Sequence, residues 1–205
     1  SSRGHQVWAK AREDNRFKDF APILERLIDL KIKWADYAFP DLDSYDANLD
    51  IYERGMRVQC LNSIFDKLKC ELIPLIRSIR NSEEKLDSTF LEGNFLISKQ
   101  EALAKSISHD IGFDFNRGRM DVSVHPFCGG GHPTDVRITT RYRTDNFIQS
   151  LFAVIHESGH GLYEQGRMPD SLDLPVSEPL TMAIHESQSL FWERMVGQGK
   201  NFCIH

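Results

Sequence analysis

The chain has 205 residues, of which 40% are hydrophobic and 27% charged, and its formal net charge is −5. This length allows a substantial core, and the negative charge argues against nucleic acid or acidic lipid as the main partner. No apolar run approaches the ~20 residues that span a bilayer, and the first residues contain no secretory signal. The sequence therefore predicts a protein that uses neither nucleic acid nor a membrane.

The cysteines are scattered and form no C-x-x-C pair: Cys60, Cys70, Cys128 and Cys203. This usage favours reduced thiols in a cytoplasmic protein over a disulfide framework or a zinc knuckle. The chain has no initiating Met and ends abruptly at His205, which indicates a segment of a longer protein.

The first half of the chain has helical periodicity. Apolar residues recur at helical spacing over 19–39, where Pro22 suits the first turn. They recur again over 57–79, where Pro74 predicts a kink or break. The intervening residues 41–55 are predicted to be a polar connection.

A third helix is predicted over 98–110, because Ser98 and Glu101 form a capping-box pattern at its start. We interpret residues 1–112 as a helical scaffold. Its apolar stripes are expected to be core rather than contacts to a cofactor.

Residues 113–205 have a different character and begin with β-prone segments. Strands are predicted over 120–124 and 135–141, forming a hairpin, with the glycine-rich residues 128–133 as a mobile loop at a cleft. The alternation in the second strand assigns Val136 and Ile138 to one face, and Asp135, Arg137, Thr139 and Arg141 to the other.

The motif His156-Glu157-Ser158-Gly159-His160 lies in a predicted helix that begins at Thr144 or Asp145 and ends before Gly166. Histidines four residues apart lie on one face of a helix and can bind a single zinc ion. Glu157 is then beside the metal, where it can take a proton from the bound water.

A catalytic zinc site needs a third protein ligand, and this helix does not contain it. Glu164 continues the four-residue spacing of His156 and His160, but it lies about 12 Å from His156 along the helix axis. The metzincin pattern also fails, because Tyr163 and Gly166 occupy its Gly and His positions. A carboxylate on a following segment is required.

The next predicted helix, about 177–196, contains three candidate glutamates. Glu178 is at its start and Glu193 is near its end. Glu186 is in the middle among apolar residues, where an unpaired carboxylate would be costly, so we select it. His185 points about 100° away on the helix, so support of a ligand or a purely structural role suits it better than metal binding.

Four motifs occur in a fixed order: His125-Pro126-Phe127, Asp135-x-Arg137-x-Thr139, His156-Glu157-x-x-His160 and His185-Glu186-Ser187-Gln188. With them the sequence resembles the M32 family of metallocarboxypeptidases, the thermostable carboxypeptidase group. Residues 11–75 also look like family sequence. The resemblance implies a mainly α, gluzincin-like metallopeptidase fold around a deep groove, with a small β-hairpin or sheet beside the active-site helix.

The resemblance also implies chemistry: one divalent ion, zinc or cobalt, and release of C-terminal residues from peptides by a homodimer. His156, His160 and Glu186 would be its ligands, with Glu157 as general base and acid. Residues expected to bind substrate or support a ligand are His125, Asp135, Arg137, Thr139, His185 and Gln188.

Two of these residues have alternative interpretations. Arg137 could bind substrate or stabilise the oxyanion, or it could form a local pair with Asp135. His125 could hydrogen-bond substrate or support a ligand, or it could be a satisfied buried histidine.

Two rival functions stay open at this point. One is an endopeptidase with the same metal site. It would lack a cation for the terminal carboxylate, for which Arg137, Arg141 and Arg143 are candidates. The other is a non-catalytic metal-binding fragment, since family members are about twice as long and continue with an Ile-Arg-rich motif and a Gly-x-x-Gln-Asp-x-His-Trp motif, both absent here.

Overall fold

The computed structural model describes residues 2–84, 86–167, 169–172 and 174–204. The chain divides into two compact units, Ser1–Glu84 and Lys85–His205. The predicted scaffold ends at residue 112, whereas the helix over 97–110 lies in the second unit. No helix in the described ranges is long and apolar enough to cross a membrane.

The first unit contains four helices: α1 (Ser2–Glu13), α2 (Phe17–Ala38), α3 (Ser44–Asp50) and α4 (Val58–Arg80). Helix α2 packs against both α1 and α3. Because α2 begins at Phe17, Pro22 lies in its second turn rather than its first. The prediction at Pro74 was a kink or a break, and a break is excluded because α4 continues through this proline to Arg80.

Helix α3 lies within residues predicted to be a polar connection, and that prediction is wrong. The side chain of Asp43 accepts a hydrogen bond from the backbone N–H of Tyr45 and caps the helix. Ala47 is fully buried, which anchors the helix in the unit. Ala47 is the only buried residue of α3, so the sequence has no extended helical stripe here.

The apolar stripe of α4 is exposed, contrary to the prediction that it forms core. No residue of this helix is buried, and Leu68 and Leu72 are 52% and 49% exposed. In α2, Leu30 is similarly 54% exposed. Periodicity identifies the apolar face of a helix. It does not show whether another element packs against that face among the residues that the structure describes.

The second unit contains the helices α5 (Ile97–Asp110), α6 (Phe147–Gln165), α7 (Met182–Leu190) and α8 (Lys200–Ile204), and the strands β1 (Gly118–Val122), β2 (Cys128–His132) and β3 (Asp135–Thr140). Short 3-10 turns occupy Thr89–Leu91, Pro169–Ser171 and Pro175–Ser177. Helix α6 contains the motif His156 to His160 and packs against β3. These elements confirm the predicted mainly α fold with a small sheet beside the helix that carries the motif.

The sheet has the order β1-β3-β2, with β3 parallel to β1 and antiparallel to β2. The predicted hairpin of β1 and β3 is therefore wrong, and the glycine-rich residues form a strand rather than a loop. The pairing of β2 with β3 has an irregularity between Gly129 and His132, and Gly130 is the glycine that it requires. Gly130 has φ +129°, and a Cβ there would overlap the backbone of Asp135.

The sheet meets α6 through a small core of Phe113, Val136 and Ile138, each about 1% exposed. Val136 and Ile138 share one face of β3, as the alternation predicts. Thr139 was assigned to the opposite, polar face, yet it is only 6% exposed. Its hydroxyl accepts a hydrogen bond from the backbone N–H of Phe127, which explains how a polar side chain is buried there.

The predicted N-terminal caps of three helices are wrong, although α5 begins at Ile97, close to its predicted start. Asn146, rather than Thr144 or Asp145, caps α6, since its Oδ1 accepts from the N–H of Gln149. Helix α5 begins after Leu96 without a side-chain cap, so Ser98 forms no capping box. Thr181 caps α7, whose predicted start was near residue 177. Several adjacent residues can cap each helix, and sequence alone does not choose between them.

The predicted ends of these helices agree better with the structure. Helix α6 ends at Gln165, immediately before Gly166. Helix α7 continues as a π-helix over Phe191–Val196 and ends at Gly197, as predicted. π-Helical turns are rare and are frequently found at functional sites. The four cysteines are all free, as the sequence predicts.

Candidate metal centre

The structure brings together His156, His160 and Glu186, the three residues selected from the sequence as metal ligands. Helix α6 presents both histidines, and α7 presents the glutamate. The Nε2 atom of His156 is 3.8 Å from Oε1 of Glu186, and Nε2 of His160 is 3.3 Å from its Oε2. One donor atom from each residue lies within 4.8 Å of the others.

This donor set fits a divalent metal. Tetrahedral ligands about 2 Å from one ion are roughly 3.3 Å apart, which is close to the observed separations. Burial and the neighbouring histidines lower the pKa of His160 to about 4, so its imidazole is neutral at pH 7. A neutral imidazole binds a metal without first releasing a proton.

Glu186 was selected because an unpaired carboxylate would be costly in an apolar helix, and this reason is wrong. The Glu186 side chain is 46% exposed, and its neighbour Ile184 is 42% exposed. The position of Glu186 on α7, rather than burial, places it opposite the two histidines.

Close contact between α6 and α7 depends on Gly159, which lies between the two motif histidines. A Cβ atom at Gly159 would be 2.7 Å from Cα of Ser189 and 2.9 Å from the carbonyl oxygen of Gln188. Both are backbone atoms, so they cannot move without moving α7. The absence of a side chain at this position therefore sets the distance between Glu186 and the histidines.

We expect Gly159→Ala to lower metal affinity by about tenfold or more, because it moves a helix that carries one of the donors. Overpacking should also destabilise the fold by about 1–3 kcal/mol. Titration with Zn²⁺ against a chelator measures the first effect and thermal unfolding the second. Gly129→Ala is the matched control, since its Cβ would be 3.5 Å from the Phe127 ring. Equal affinities in the two variants would contradict the expectation.

Glu157 lies on α6 beside the first histidine and is 7% exposed. Burial raises the pKa of its carboxyl to about 7, with the nearby Glu186 carboxylate adding to the effect and His156 opposing it. A carboxyl group with a pKa near neutrality can both take up and release a proton, which is what a general base and acid requires.

His156 is oriented by a carboxylate that the sequence did not select for this role. Its Nδ1 atom is 2.8 Å from Oε2 of Glu193, whose other oxygen accepts from Nε of Arg194 at 2.8 Å. Glu193 lies in the π-helix that follows α7. Its spacing of seven residues from Glu186 is the signal that could have identified it, because residues seven apart share a helix face.

His160 is held by His185, the neighbour of Glu186 in the sequence. The two Nδ1 atoms are 2.6 Å apart, and Nε2 of His185 is 2.8 Å from Oε1 of Glu164. Arg167 donates to the other oxygen of Glu164 at 2.9 Å. The hydrogen bond from His185, followed by that from Arg167, lowers the pKa of Glu164 although burial opposes this.

The positions of Glu164 and His185 agree with the interpretation drawn from helix geometry. Glu164 is outside the donor group and supports His185 instead. His185 contacts a proposed ligand but is not itself in that group. Arg167 is a further member of this network that the sequence did not indicate.

Among the remaining predicted site residues, Asp135, Arg137 and Thr139 form local contacts. Arg137 and Asp135 form a two-bond pair on the exposed face of β3, at 3.0 and 2.8 Å, which is the alternative considered for Arg137. The Thr139 hydroxyl accepts a hydrogen bond from the backbone N–H of Phe127 at 2.9 Å and fixes the segment before β2.

His125 is exposed, so its interpretation as a buried histidine is wrong. Gln188 is also exposed.

A cavity of about 590 Å³ lies along this face of the sheet. Its lining includes the polar residues Asp121, Ser123, Asp135, Arg137 and Thr139, together with Phe127 of the His-Pro-Phe motif. Two of the four sequence motifs therefore meet at one opening.

Comparison with known proteins gives concordant matches. The family model described as carboxypeptidase Taq (M32) metallopeptidase matches residues 1–205. Carboxypeptidase 1 of Bacillus subtilis is 37% identical over 98% of this chain, which covers 40% of that protein. Thermostable carboxypeptidase 1 of Thermus thermophilus is 35% identical over 98% of this chain and 41% of its own length.

Solved structures agree with these sequence matches. The carboxypeptidase of Pyrococcus furiosus superposes with a TM-score of 0.85 at 33% identity, over 98% of this chain and 41% of that one. The M32 carboxypeptidase of Deinococcus radiodurans has a TM-score of 0.83 at 34% identity, over 97% and 40%. The chain spans about 40% of the length of the curated relatives it matches. From its motifs, fold and family match, the chain belongs to the M32 family of metallocarboxypeptidases.

Proposed function

We propose that this chain carries the active centre of a metal-dependent carboxypeptidase, which removes C-terminal residues from peptides. The observation that carries the proposal is the convergence of two histidines and one glutamate from α6 and α7, with Glu157 beside them. Family membership supports the choice of peptides as the substrate class.

The metal would be held by His156, His160 and Glu186. Zinc suits two imidazoles and one carboxylate, and cobalt is the alternative implied by the resemblance. When bound, a divalent ion of this kind lowers the pKa of a water molecule and polarises a carbonyl oxygen. Glu157 would take the proton from the attacking water and transfer it to the leaving amine.

A carboxypeptidase also needs a cation for the terminal carboxylate of its substrate. Of the three candidate arginines, Arg137 and Arg143 are paired with Asp135 and Asp145. Arg141 is exposed and has no carboxylate partner among the residues that the structure describes. We therefore propose Arg141 as the first of the three to test.

Blocking the substrate terminus distinguishes an exopeptidase from an endopeptidase with the same metal site. We expect the zinc-loaded protein to release the last residue of a free-acid peptide. The same peptide with an amidated C-terminus should not be cleaved, because it lacks the charge that the cation recognises. Mass spectrometry of the products measures both. Internal cleavage of the amidated peptide would support the endopeptidase and contradict the proposal.

A second candidate function is a metal-binding chain that hydrolyses peptides only together with an additional protein segment. The exposed apolar stripe of α4 favours it, because such a face is typical of a surface that another element covers. Metal binding without hydrolysis of either peptide would be the result that it predicts. The homodimer implied by the resemblance and the cytoplasmic location stay predictions.

A further inference from the structure

The ligand His160 has an unusual support in the structure. A metal-binding histidine commonly donates its second N–H directly to a carboxylate or a carbonyl. His156 does so with Glu193 at 2.8 Å. For His160, a second imidazole, that of His185, lies between the ligand and its carboxylate, Glu164.

The side chains in this network are shielded from solvent. His160, His185, Glu164 and Arg167 are 13%, 15%, 16% and 12% exposed. The ring of Tyr163 packs against that of His185, with 4.7 Å between centroids. Water therefore has little access to compete for these hydrogen bonds, and their donors and acceptors must match one another.

Only one arrangement of protons satisfies the network with both imidazoles neutral. Nε2 of His160 faces Glu186 and needs a free lone pair to bind a metal, so its proton is on Nδ1. This Nδ1–H donates to Nδ1 of His185. The proton of His185 is then on Nε2, where it donates to Glu164.

The opposite arrangement is unfavourable. With its proton on Nδ1, His185 would direct the lone pair of Nε2 at the carboxylate of Glu164, at 2.8 Å. The carboxylate of Glu164 thus determines the direction of both hydrogen bonds. Arg167 holds that carboxylate in place from the far side, through its bond at 2.9 Å.

We propose that Glu164, acting through His185, is a positioning residue of the metal centre. It fixes the tautomer and ring orientation of His160 and makes its Nε2 a stronger donor to the metal. This inference rests on the proposed function, since it takes His160 as a ligand. It adds roles for His185, Glu164 and Arg167, none of which belongs to the donor group of His156, His160 and Glu186.

The proton arrangement can be measured in the unmodified zinc-loaded protein. Nuclear magnetic resonance of ¹⁵N-histidine reports which ring nitrogen of each imidazole carries the proton. We expect the proton of His160 on Nδ1 and that of His185 on Nε2. A proton on Nδ1 of His185 would overturn the proposal. This test needs no variant, so it does not depend on the folding of one.

Variants test the consequence for metal binding. Zn²⁺ affinity, measured by competition with a chelator, should fall about 10–100-fold in Glu164→Gln. Glu178→Gln is the matched control, because Glu178 also faces Arg167, at 3.9 Å, but is 71% exposed and makes no bond to His185. His185→Gln, which keeps a donor and an acceptor, should retain more affinity than His185→Leu.

A double-mutant cycle separates a role through His185 from a merely structural one. If Glu164 acts through His185, adding Glu164→Gln to His185→Leu should cause little further loss of affinity. Adding Glu193→Gln, which acts on His156, should multiply the loss. Multiplicative effects for Glu164 and His185 would overturn the proposal. Absence of Zn²⁺ binding in the unmodified protein would instead contradict the proposed function.

Discussion

Replacing Glu157 with Gln is expected to abolish peptide hydrolysis while the protein binds metal as tightly as before. The amide keeps the shape of the side chain but cannot take a proton from water. Loss of a general base typically costs about 10²–10⁴-fold in rate. Because Glu157 is outside the donor group of His156, His160 and Glu186, metal affinity should not fall.

Two measurements are needed for this prediction: the initial rate of hydrolysis of a free-acid peptide, and Zn²⁺ affinity by chelator competition. Glu178→Gln, an exposed glutamate in the same unit, should match the unmodified protein in both. If Glu157→Gln retained the unmodified rate, Glu157 would not be the general base. If it lost metal, Glu157 would belong to the binding site instead.

Replacing Glu186 with Gln is expected to have the complementary effect, a loss of the metal itself. Glu186 is the only anionic member of the donor group, with its oxygens 3.3 and 3.8 Å from the two Nε2 atoms. A neutral amide is a much weaker ligand for zinc than a carboxylate. We expect affinity to fall by more than the roughly 10–100-fold that loss of a supporting residue costs.

Glu193→Gln provides a reference against which the loss of Zn²⁺ affinity in Glu186→Gln can be ranked. Glu193 contacts the far side of His156, so its loss should weaken binding less than the loss of Glu186. The expected order of Zn²⁺ affinity is therefore unmodified protein, then Glu193→Gln, then Glu186→Gln. An affinity of Glu186→Gln equal to that of the unmodified protein would remove Glu186 from the ligand set.

The two histidines of the proposed ligand set could be selected from the sequence because helix geometry constrains them strongly. Histidines at 156 and 160 must share a face, and Glu164 is too far along the same helix. The contacts of Glu164 in the structure, with His185 and Arg167, agree with that exclusion. Elimination by distance does not depend on what surrounds the helix, so it needs only the sequence. The choice of Glu186 rested on burial, and its side chain is 46% exposed in the structure.

Features that depend on distant parts of the chain could not be predicted. Alternation in β3 identifies its faces, but it does not determine strand direction, so the parallel pairing with β1 was missed. The strand over 128–132 depends on the approach of Gly130 to Asp135. The roles of Glu193 and Arg167 arise from contacts between separate segments.

A zinc-loaded crystal structure with anomalous scattering measured at the zinc absorption edge tests the metal centre most directly. We predict one strong peak about 2 Å from Nε2 of His156, Nε2 of His160 and a carboxylate oxygen of Glu186. A peak coordinated by other residues, or no peak between α6 and α7 at saturating Zn²⁺, would contradict it.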